Sequence, residues 1–326
     1  MNKDDPFFIK ELVIKSIRNF FYDQDFHEVV VPVLNKALPL EPNLYAFKTD
    51  WQYMDKTEIR YLPTSPEAAL KKKLAQGLEK VFAIGHSFRN LEPADLEHNP
   101  EFLMLEWYRS DANYQQIMDD VEQLVAFLWQ EVSDYLGKSG NLEYQGERLN
   151  LSSPWKRLSL EKLFEQAVGI SLKNCLGLDE IKTVAKKLNY QIQGANWEQL
   201  FNQIFMDQIE PMLGKQPLFL VDFPSQISPL CKTVPNKPYL AERFEVYLGG
   251  LEIGNGNNEQ TDATLVEEAF LLEQKQRQKN QLPVHPIDND FLEALQKMHS
   301  TKKQYAGIGV GLERVEMILS NLQTLN

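Results

Sequence analysis

Apolar and polar positions alternate along this chain with two periods, and the period changes where one element gives way to the next. From Pro6 to Tyr22, Ile9, Leu12, Val13, Ile17, Phe20 and Phe21 recur at helical spacing behind a capping Asp5 and a proline suited to the first turn. A β-rich run from Phe26 to Pro32 follows. Residues 64–75 read as a second helix, with Thr64 or Ser65 as cap and Glu67 in its first turn. Val81 to Phe88 and residues 101–108 read as the two arms of a long hairpin across a loop at 91–98. A strong amphipathic helix spans 113–136, with Ile117, Val121, Leu124, Leu128, Val132 and Leu136 on one stripe and Gly137 beyond its end. Residues 140–215 are mixed, with helical stretches near 159–168, 178–188 and 197–210, and show no chemistry of their own. Strand patterns return at 217–224 and 243–254, and helices at 263–281 and 288–298. A glycine-rich strand at 307–311 runs into a helix at 312–320. The hairpins predict an α+β chain, with an antiparallel sheet flanked by helices.

Composition narrows this only slightly. The 326 residues are 43% apolar and 25% charged, enough for one large domain with an insertion at 140–215. The net charge of −12 argues against a chain dominated by phosphate contacts. Cys175 and Cys231 form no CxxC, and the five histidines show no metal-ligand spacing, so neither a zinc site nor a disulfide framework is expected. No apolar run approaches the ~18 residues of a membrane span. The N-terminus MNKDDPFF lacks a signal-peptide layout, so a cytoplasmic protein with no membrane partner is expected.

Five segments carry candidate chemistry. In RFEVYLGGLEIGNG, Gly249-Gly250 reads as a two-residue turn that pairs Leu248 with Leu251 and Tyr247 with Glu252. Glu245, Tyr247, Glu252 and Gly254 then share a face. Glu245 and Glu252 lie diagonally at roughly 7 Å, a spacing from which two carboxylates can hold Mg²⁺ together with phosphate oxygens. An exposed hairpin with ordinary glutamates is an equal reading. In the strand after Pro100, Phe102, Met104, Glu106 and Tyr108 share one face and Leu103, Leu105 and Trp107 the other. The first face reads as a ligand floor, beside which Arg89 could clamp a phosphate; a merely wet strand face is the alternative. Gly307, Gly309 and Gly311 leave one strand face bare, and Arg314 lies in the first turn of the next helix, where a bound anion would explain an arginine. Close packing of a neighbouring element is the ordinary account of such glycines. Thr64-Ser65-Pro66-Glu67 and Asn255-Gly256-Asn257-Asn258-Glu259 each offer an acid near a tight backbone feature, or simply a cap and a turn. Lys71-Lys72-Lys73 reads as a solvated helix face.

In order, these segments resemble class II aminoacyl-tRNA synthetases of the lysyl branch. The run ending at Pro32 resembles motif 1, Phe88 to Arg109 resembles motif 2, and GIGVGLER from Gly307 to Arg314 resembles motif 3. TSPE, ISPL, AERFEVY and LEIGNG are similar to lysyl-family segments. HPIDNDFLEAL at 285–295 and the EWYR ending of motif 2 are similar to the elongation factor P lysine and β-lysine ligases, the truncated paralogues of lysyl-tRNA synthetase. Motif 1 is reached by Pro32, which leaves no room for an N-terminal anticodon-binding domain, so residues 1–326 are expected to be a single synthetase-like catalytic domain.

The resemblance implies activation of lysine or β-lysine with ATP and Mg²⁺. It implies transfer to a lysine of elongation factor P and not to tRNA, in a homodimer with motif 1 at its interface. It implies that Arg89 and Arg314 are the catalytic arginines on the α- and γ-phosphates. Phe102 would stack on adenine, and Asn90, Glu92, His98, Asn99, Glu252, Ile253 and Gly311 would complete the ATP site. Glu245 and Glu252 would hold Mg²⁺. Ser65, Pro66, Glu67, Glu106, Tyr108, Asn255, Glu259 and Gly309 would bind the amino acid. Three positions depart from the pattern: Leu91 stands where the family has glutamate, Glu97 where a basic residue precedes the histidine, and Gly309 where the β-lysine ligases have alanine. A truncated synthetase with tRNA or a small amine as acceptor, and a non-catalytic amino-acid-sensing paralogue, are the alternatives.

Overall fold

A computed structural model describes residues 5–92 and 99–322. The first helix, α1 (Pro6–Tyr22), starts at Asp5, whose carboxylate accepts from the Phe7 N–H at 3.0 Å. The β-rich run after it forms only a short strand, β1 (His27–Glu28), and Val29 adds one more bond to Phe82. A separate ribbon, β2 (Lys48–Tyr53) and β3 (Lys56–Tyr61), precedes α2 (Glu67–Leu74). That helix starts three residues later than its sequence pattern predicts. Pro66 disfavours helical geometry at Ser65 before it, and Ser65 Oγ instead accepts from the Glu67 N–H at 3.3 Å.

The long hairpin is present as β4 (Lys80–Phe88) and β5 (Glu101–Ser110), paired from Lys80 with Arg109 to Phe88 with Glu101. Next comes α3 (Tyr114–Leu136), closed at its start by a reciprocal Asn113–Gln116 capping box and at its end by Gly137 at φ 66°. A small ribbon, β6 (Leu142–Tyr144) with β7 (Glu147–Leu149), and strand β8 (Lys156–Ser159) lead into α4 (Leu160–Val168), α5 (Leu178–Lys187) and α6 (Trp197–Ile204). The chain returns through β9 (Leu218–Pro224), β10 (Thr233–Val234), β11 (Lys237–Leu248) and β12 (Leu251–Asn258). It ends with α7 (Ala263–Lys279), α8 (Asn289–Ser300), β13 (Tyr305–Gly311) and α9 (Leu312–Leu319).

The main sheet runs β1-β4-β5-β13-β12-β11-β9-β8, with β10 paired to β11. It is antiparallel from β4 through β9, as the hairpins predict, and carries one parallel strand at each edge. One face buries Leu105, Trp107, Ile308 and Val310 against α1, α3 and α9. The opposite face is covered in two places. At one end α2, α7 and α8 pack on Val81, Ala83 and Tyr108. At the other, α4, α5 and α6 pack on Leu218, Leu220 and Tyr247. Between these helical groups the sheet face is left open. Among the described residues no helix is long and apolar enough to cross a membrane.

The glycines of β13 admit neighbouring side chains. Gly307 lies opposite Tyr108, and a Cβ there would meet the Tyr108 ring at 2.0 Å. At this position close packing, not a bare surface, explains the glycine. Gly307→Ala should therefore destabilise the protein by ~1–3 kcal/mol through overpacking. Urea unfolding of variant and wild type checks this, and an unchanged midpoint would show that Tyr108 is free to move aside.

Candidate active site

Two rows of residues cross the sheet beneath the open face. In the first, Glu106 on β5 pairs with Gly309 on β13, Gly309 with Asn255 on β12, and Asn255 with Glu245 on β11. In the second, Tyr108, Gly307, Asn257 and Arg243 follow the same order. Strands lie ~4.8 Å apart, so Glu106 and Glu245 stand roughly 14 Å from each other with a glycine between them. The row leaves a trough wide enough for an extended ligand, with a carboxylate near each end. A cavity of about 880 Å³ occupies it, lined by Ser65, Glu67, Arg89, Glu106, Tyr108, Glu245, Glu252, Asn255, Gly309 and Arg314 among others.

The register of the second hairpin differs from a plain two-residue turn. Leu248 pairs with Leu251 and Tyr247 with Glu252 as the turn predicts, but a bulge then moves Val246 to Gly254 and Glu245 to Asn255. Glu245, Tyr247 and Glu252 keep their common face. Gly254 is shifted to the opposite face, and Asn255 and Asn257 are turned into the cavity. Ile253, at the bulge, puts its side chain into the main core, so any part it takes in nucleotide binding falls to its backbone.

The acid end is held by a buried cation. Lys71 is 0% exposed and pairs with both Glu67 and Glu259, with its ammonium 5.6 Å from the Tyr108 ring. This corrects the reading of Lys71 as part of a solvated face: the helix turns it inward, while Lys72 reaches Asp288 at 2.7 Å. Burial alone would pull the Lys71 ammonium down, but the Glu259 and Glu67 carboxylates outweigh it and hold its pKa up. Glu259 is 1% exposed and lies behind Lys71, outside the lining of the cavity. Burial pushes Glu106 well above the usual carboxylate range, with Glu67 and Glu41 adding repulsion, and Tyr108 donates to it at 3.2 Å. Burial also raises the Tyr108 phenol.

At the other end, Glu245 is pushed up to about 8 by burial and by Glu252. Its two oxygens accept from Arg243 at 2.9 Å and from Tyr247 at 3.1 Å. The paired oxygens of Glu245 and Glu252 suit a hard cation. Among the described residues no three His, Cys, Asp or Glu side chains group as a metal site. Further ligands would have to come from elsewhere, as they would from a triphosphate. Arg314 donates to the Glu252 carbonyl at 2.5 Å. Arg89 stands over the Phe102 ring at 5.1 Å, 3.6 Å from Glu92.

The remaining sequence candidates sit around this frame. Asn90 accepts from Leu91 N–H through Oδ1 and donates its own N–H to Tyr45. Pro66 packs toward Gly85, Asn99 is half-buried, and the space around Gly311 is open. Neither Pro66, Asn90, Glu92, Asn99, Phe102 nor Gly311 lines the cavity. His98 and Glu97 lie outside the described residues.

Several lining residues escape the sequence reading. Arg243 and Asn257 were accessible to it, since each stands two positions from a named site residue on the same strand face. Glu41 is in irregular backbone, where no period marks the direction of a side chain. Glu198, Asn202, Phe205 and Glu210 come from 140–215, the region that showed no chemistry, and form one wall of the cavity.

The whole chain matches known proteins at the level of family. Residues 2–326 match the model of the tRNA synthetases class II (D, K and N). The chain is 32% identical over 320 residues to a lysine–tRNA ligase of Carboxydothermus hydrogenoformans, covering 97% of this chain and 63% of that protein. It is 33% identical over 318 residues to one of Saccharolobus solfataricus, covering 96% and 61%. An ordered sheet of this kind, with its motifs meeting at one cavity, is a class II synthetase catalytic domain. The protein belongs to the class II tRNA synthetase family of the D, K and N type, and it spans about three fifths of the length of these relatives.

The raised acids give a pH dependence. Burial, with repulsion from Glu67, lifts Glu41 to about 7, and Glu106 is raised well above its usual range. Both bind protons more tightly folded than unfolded, so the stability they contribute is full below their unfolded pKa near 4.5 and is lost as pH rises through the folded values. The ligand-free protein should lose melting temperature between pH 4.5 and about 7, and Glu106→Gln should flatten that loss. Melting curves across this range check both, and a rise in stability with pH would contradict the assignment.

Proposed function

We propose that the protein activates lysine or β-lysine with ATP as an aminoacyl-adenylate and transfers the acyl group to a lysine side chain of elongation factor P. The observation that carries the reading is one trough with carboxylates at its amino-acid end, two arginines along it and a paired glutamate site at the other end. An amino acid with two ammonium groups balances the acids, whereas a neutral one would leave them desolvated and unpaired. The lysine–tRNA ligase names of the relatives support the choice of amino acid. The EWYR ending and HPIDNDFLEAL support the protein acceptor.

In the first step a carboxylate oxygen of the amino acid attacks the α-phosphorus of ATP, and pyrophosphate leaves. Arg89 stabilises charge on the α-phosphoryl oxygens, and Arg314 holds the γ-phosphate. Phe102, with Asn90, Glu92, His98, Asn99, Ile253 and Gly311 around it, receives the adenosine part. Mg²⁺, on Glu245 and Glu252, would neutralise phosphate charge. Ser65, Glu67, Asn255 and Gly309 position the amino acid, while Glu106 and Tyr108 face its side-chain ammonium. In the second step the acceptor amine attacks the adenylate carbonyl, AMP leaves with the bonding pair, and the amine gives up a proton. Residues 1–326 act as one catalytic unit, with 140–215 as a helical insertion that walls the site. The exposed Phe7, Val30, Val33 and Leu34 on the motif 1 side support a homodimer.

Lysine-dependent pyrophosphate exchange without tRNA tests the activation step. Arg89→Ala and Arg314→Ala should each lower it by about 10²–10³, with folding intact by melting curve. Near-normal exchange in either variant would remove its assigned role. Mass spectrometry of elongation factor P, after incubation with enzyme, ATP and each lysine isomer, tests the acceptor. A mass gain of one lysyl group is expected. Aminoacylation of tRNA in place of that gain would establish the tRNA-dependent reading instead. A Cβ on Gly309 would sit 3.2 Å from Glu106 Oε1 and 3.4 Å from Met104 Sδ. Gly309→Ala should therefore change the preference between α- and β-lysine by roughly tenfold or more in side-by-side exchange, the discrimination that one methyl group can supply.

A further inference from the structure

The wall that α6 sets over the trough has two faces of different chemistry. Leu200, Ile204 and Ile209 turn into the core beneath it. Glu198, Asn202, Phe205, Met206 and Glu210 line the cavity. These five stay on one side because α6 runs on through a π turn at Phe205–Ile209, which rotates less per residue than an α turn and so brings Glu210 back to the cavity. The stripe brings two acids and no lysine or arginine to the site. Met206 is 55% exposed and marks the mouth, and the half-buried Phe205 ring lies 6.5 Å from that of Phe223 on β9.

Within this stripe Glu198 is held in place. Its Oε1 accepts from Asn43 Nδ2 at 2.7 Å. Asn43 is fixed in turn, because the fully buried Arg277 donates to the carbonyls of Glu41 and Leu44 on either side of it and stands 4.7 Å over the Tyr45 ring. One carboxylate oxygen of Glu198 is thus committed to the protein, and among the described residues the other takes no hydrogen bond. Arg243, the cation that acts on Glu198 from the sheet, is itself paired with Glu245 at 2.9 Å. Burial raises the Glu198 carboxyl, with Glu273 adding repulsion, so it holds a proton more readily than an ordinary carboxylate.

The acyl-transfer step asks for these properties. Its acceptor is a primary ammonium on a flexible aliphatic stem, which enters from outside on another macromolecule. The stem needs apolar contact, the ammonium needs an acid, and the nitrogen must lose a proton before it can attack. A tRNA 3′ end would bring phosphodiesters instead, which the acids of this wall repel. We propose that Glu198 is a catalytic residue of acyl transfer, pairing with the acceptor ammonium and taking its proton while the stem of that lysine lies on Phe205 and Met206. The freed amine then attacks the adenylate carbonyl. The C–N bond forms as the C–O bond to the phosphate breaks, AMP leaves with the bonding pair, and the second nitrogen proton passes to the departing phosphate. The inference rests on the protein-acceptor reading and gives that half of the reaction to a segment that carries no sequence motif.

The test separates the two half-reactions. Glu198→Gln keeps an oxygen that can accept from Asn43 and removes only the charge and the base, so a merely structural role predicts no change. Single-turnover transfer from preformed adenylate to elongation factor P, read by mass spectrometry, should slow by about 10²–10⁴. Lysine-dependent pyrophosphate exchange should stay within twofold. Hydroxylamine is uncharged at neutral pH and needs no base, so its capture of the adenylate as the hydroxamate should also stay within twofold. Met206→Lys should raise KM for elongation factor P by roughly tenfold or more, through repulsion of the incoming ammonium at the mouth. Melting curves show whether both variants fold. Transfer by Glu198→Gln within twofold of wild type, an equal loss with hydroxylamine, or an unchanged KM in Met206→Lys overturns the inference while leaving the protein acceptor standing. Wild-type protein that leaves elongation factor P unmodified, whether or not it charges tRNA, overturns the protein-acceptor reading and this inference with it.

Discussion

The site depends on a buried ammonium. Lys71 comes inward from α2 and is shared by Glu67 on its own helix and Glu259 just past the end of β12. An ammonium with no exposure is costly to bury, and only the two carboxylates make its position tolerable. In return it fastens α2 to the sheet beside β5 and limits the negative charge at that end of the cavity. Glu106 and Glu41 can then stand nearby as acids still in need of a cation. A pocket with these acids and no Lys71 would repel itself; one with more lysines would leave none of the acids unpaired.

The sheet converts that charge arrangement into a shape. Antiparallel pairing places Glu106, Gly309, Asn255 and Glu245 in one line. Glycine in the line keeps the middle low, so the acids near the two ends rise over a channel. The bulge at Ile253 turns Asn255 and Asn257 toward the ligand and buries the Ile253 side chain on the other face. One extra residue in β12 thus sets which amides reach the cavity. The trough is closed from above by parts that are distant in sequence: the loop around Glu41 on one side and α6 with the turns after it on the other, joined by the Asn43–Glu198 hydrogen bond.

Much of this was legible in the residues alone. The periods of α1, α3 and the β4–β5 hairpin follow from local rules of spacing and capping, and the structure keeps them within a few residues. The alternation in β5 correctly separates the Glu106 and Tyr108 face from the Leu105 and Trp107 face, because a strand has a period of two and one side must be buried. The pairing of Glu245 with Glu252 on one face survives because both lie close to the turn, ahead of the bulge. The family resemblance supplied Asn255, which a plain hairpin register places on the wrong side.

Tertiary structure decided what local pattern could not carry. Lys71 sits in a run of three lysines, and nothing local distinguishes the one whose direction on α2 faces Glu259. Gly307 could have bared the sheet; instead Tyr108, from a strand two hundred residues earlier in the chain, fills the space over it. Residues 140–215 carry no motif, yet their helices bury their apolar faces on β9 and β11 and so bring Glu198 and Glu210 to the cavity wall. Glu41 has no periodic context at all, and its direction follows from Arg277, more than two hundred residues away, holding the backbone beneath it. The sequence by itself determined the elements, the faces and the candidate chemistry, since these depend on neighbours along the chain. Which charges meet, and which remain unpaired for a ligand, depended on contacts between distant segments, and those exist only once the core has packed.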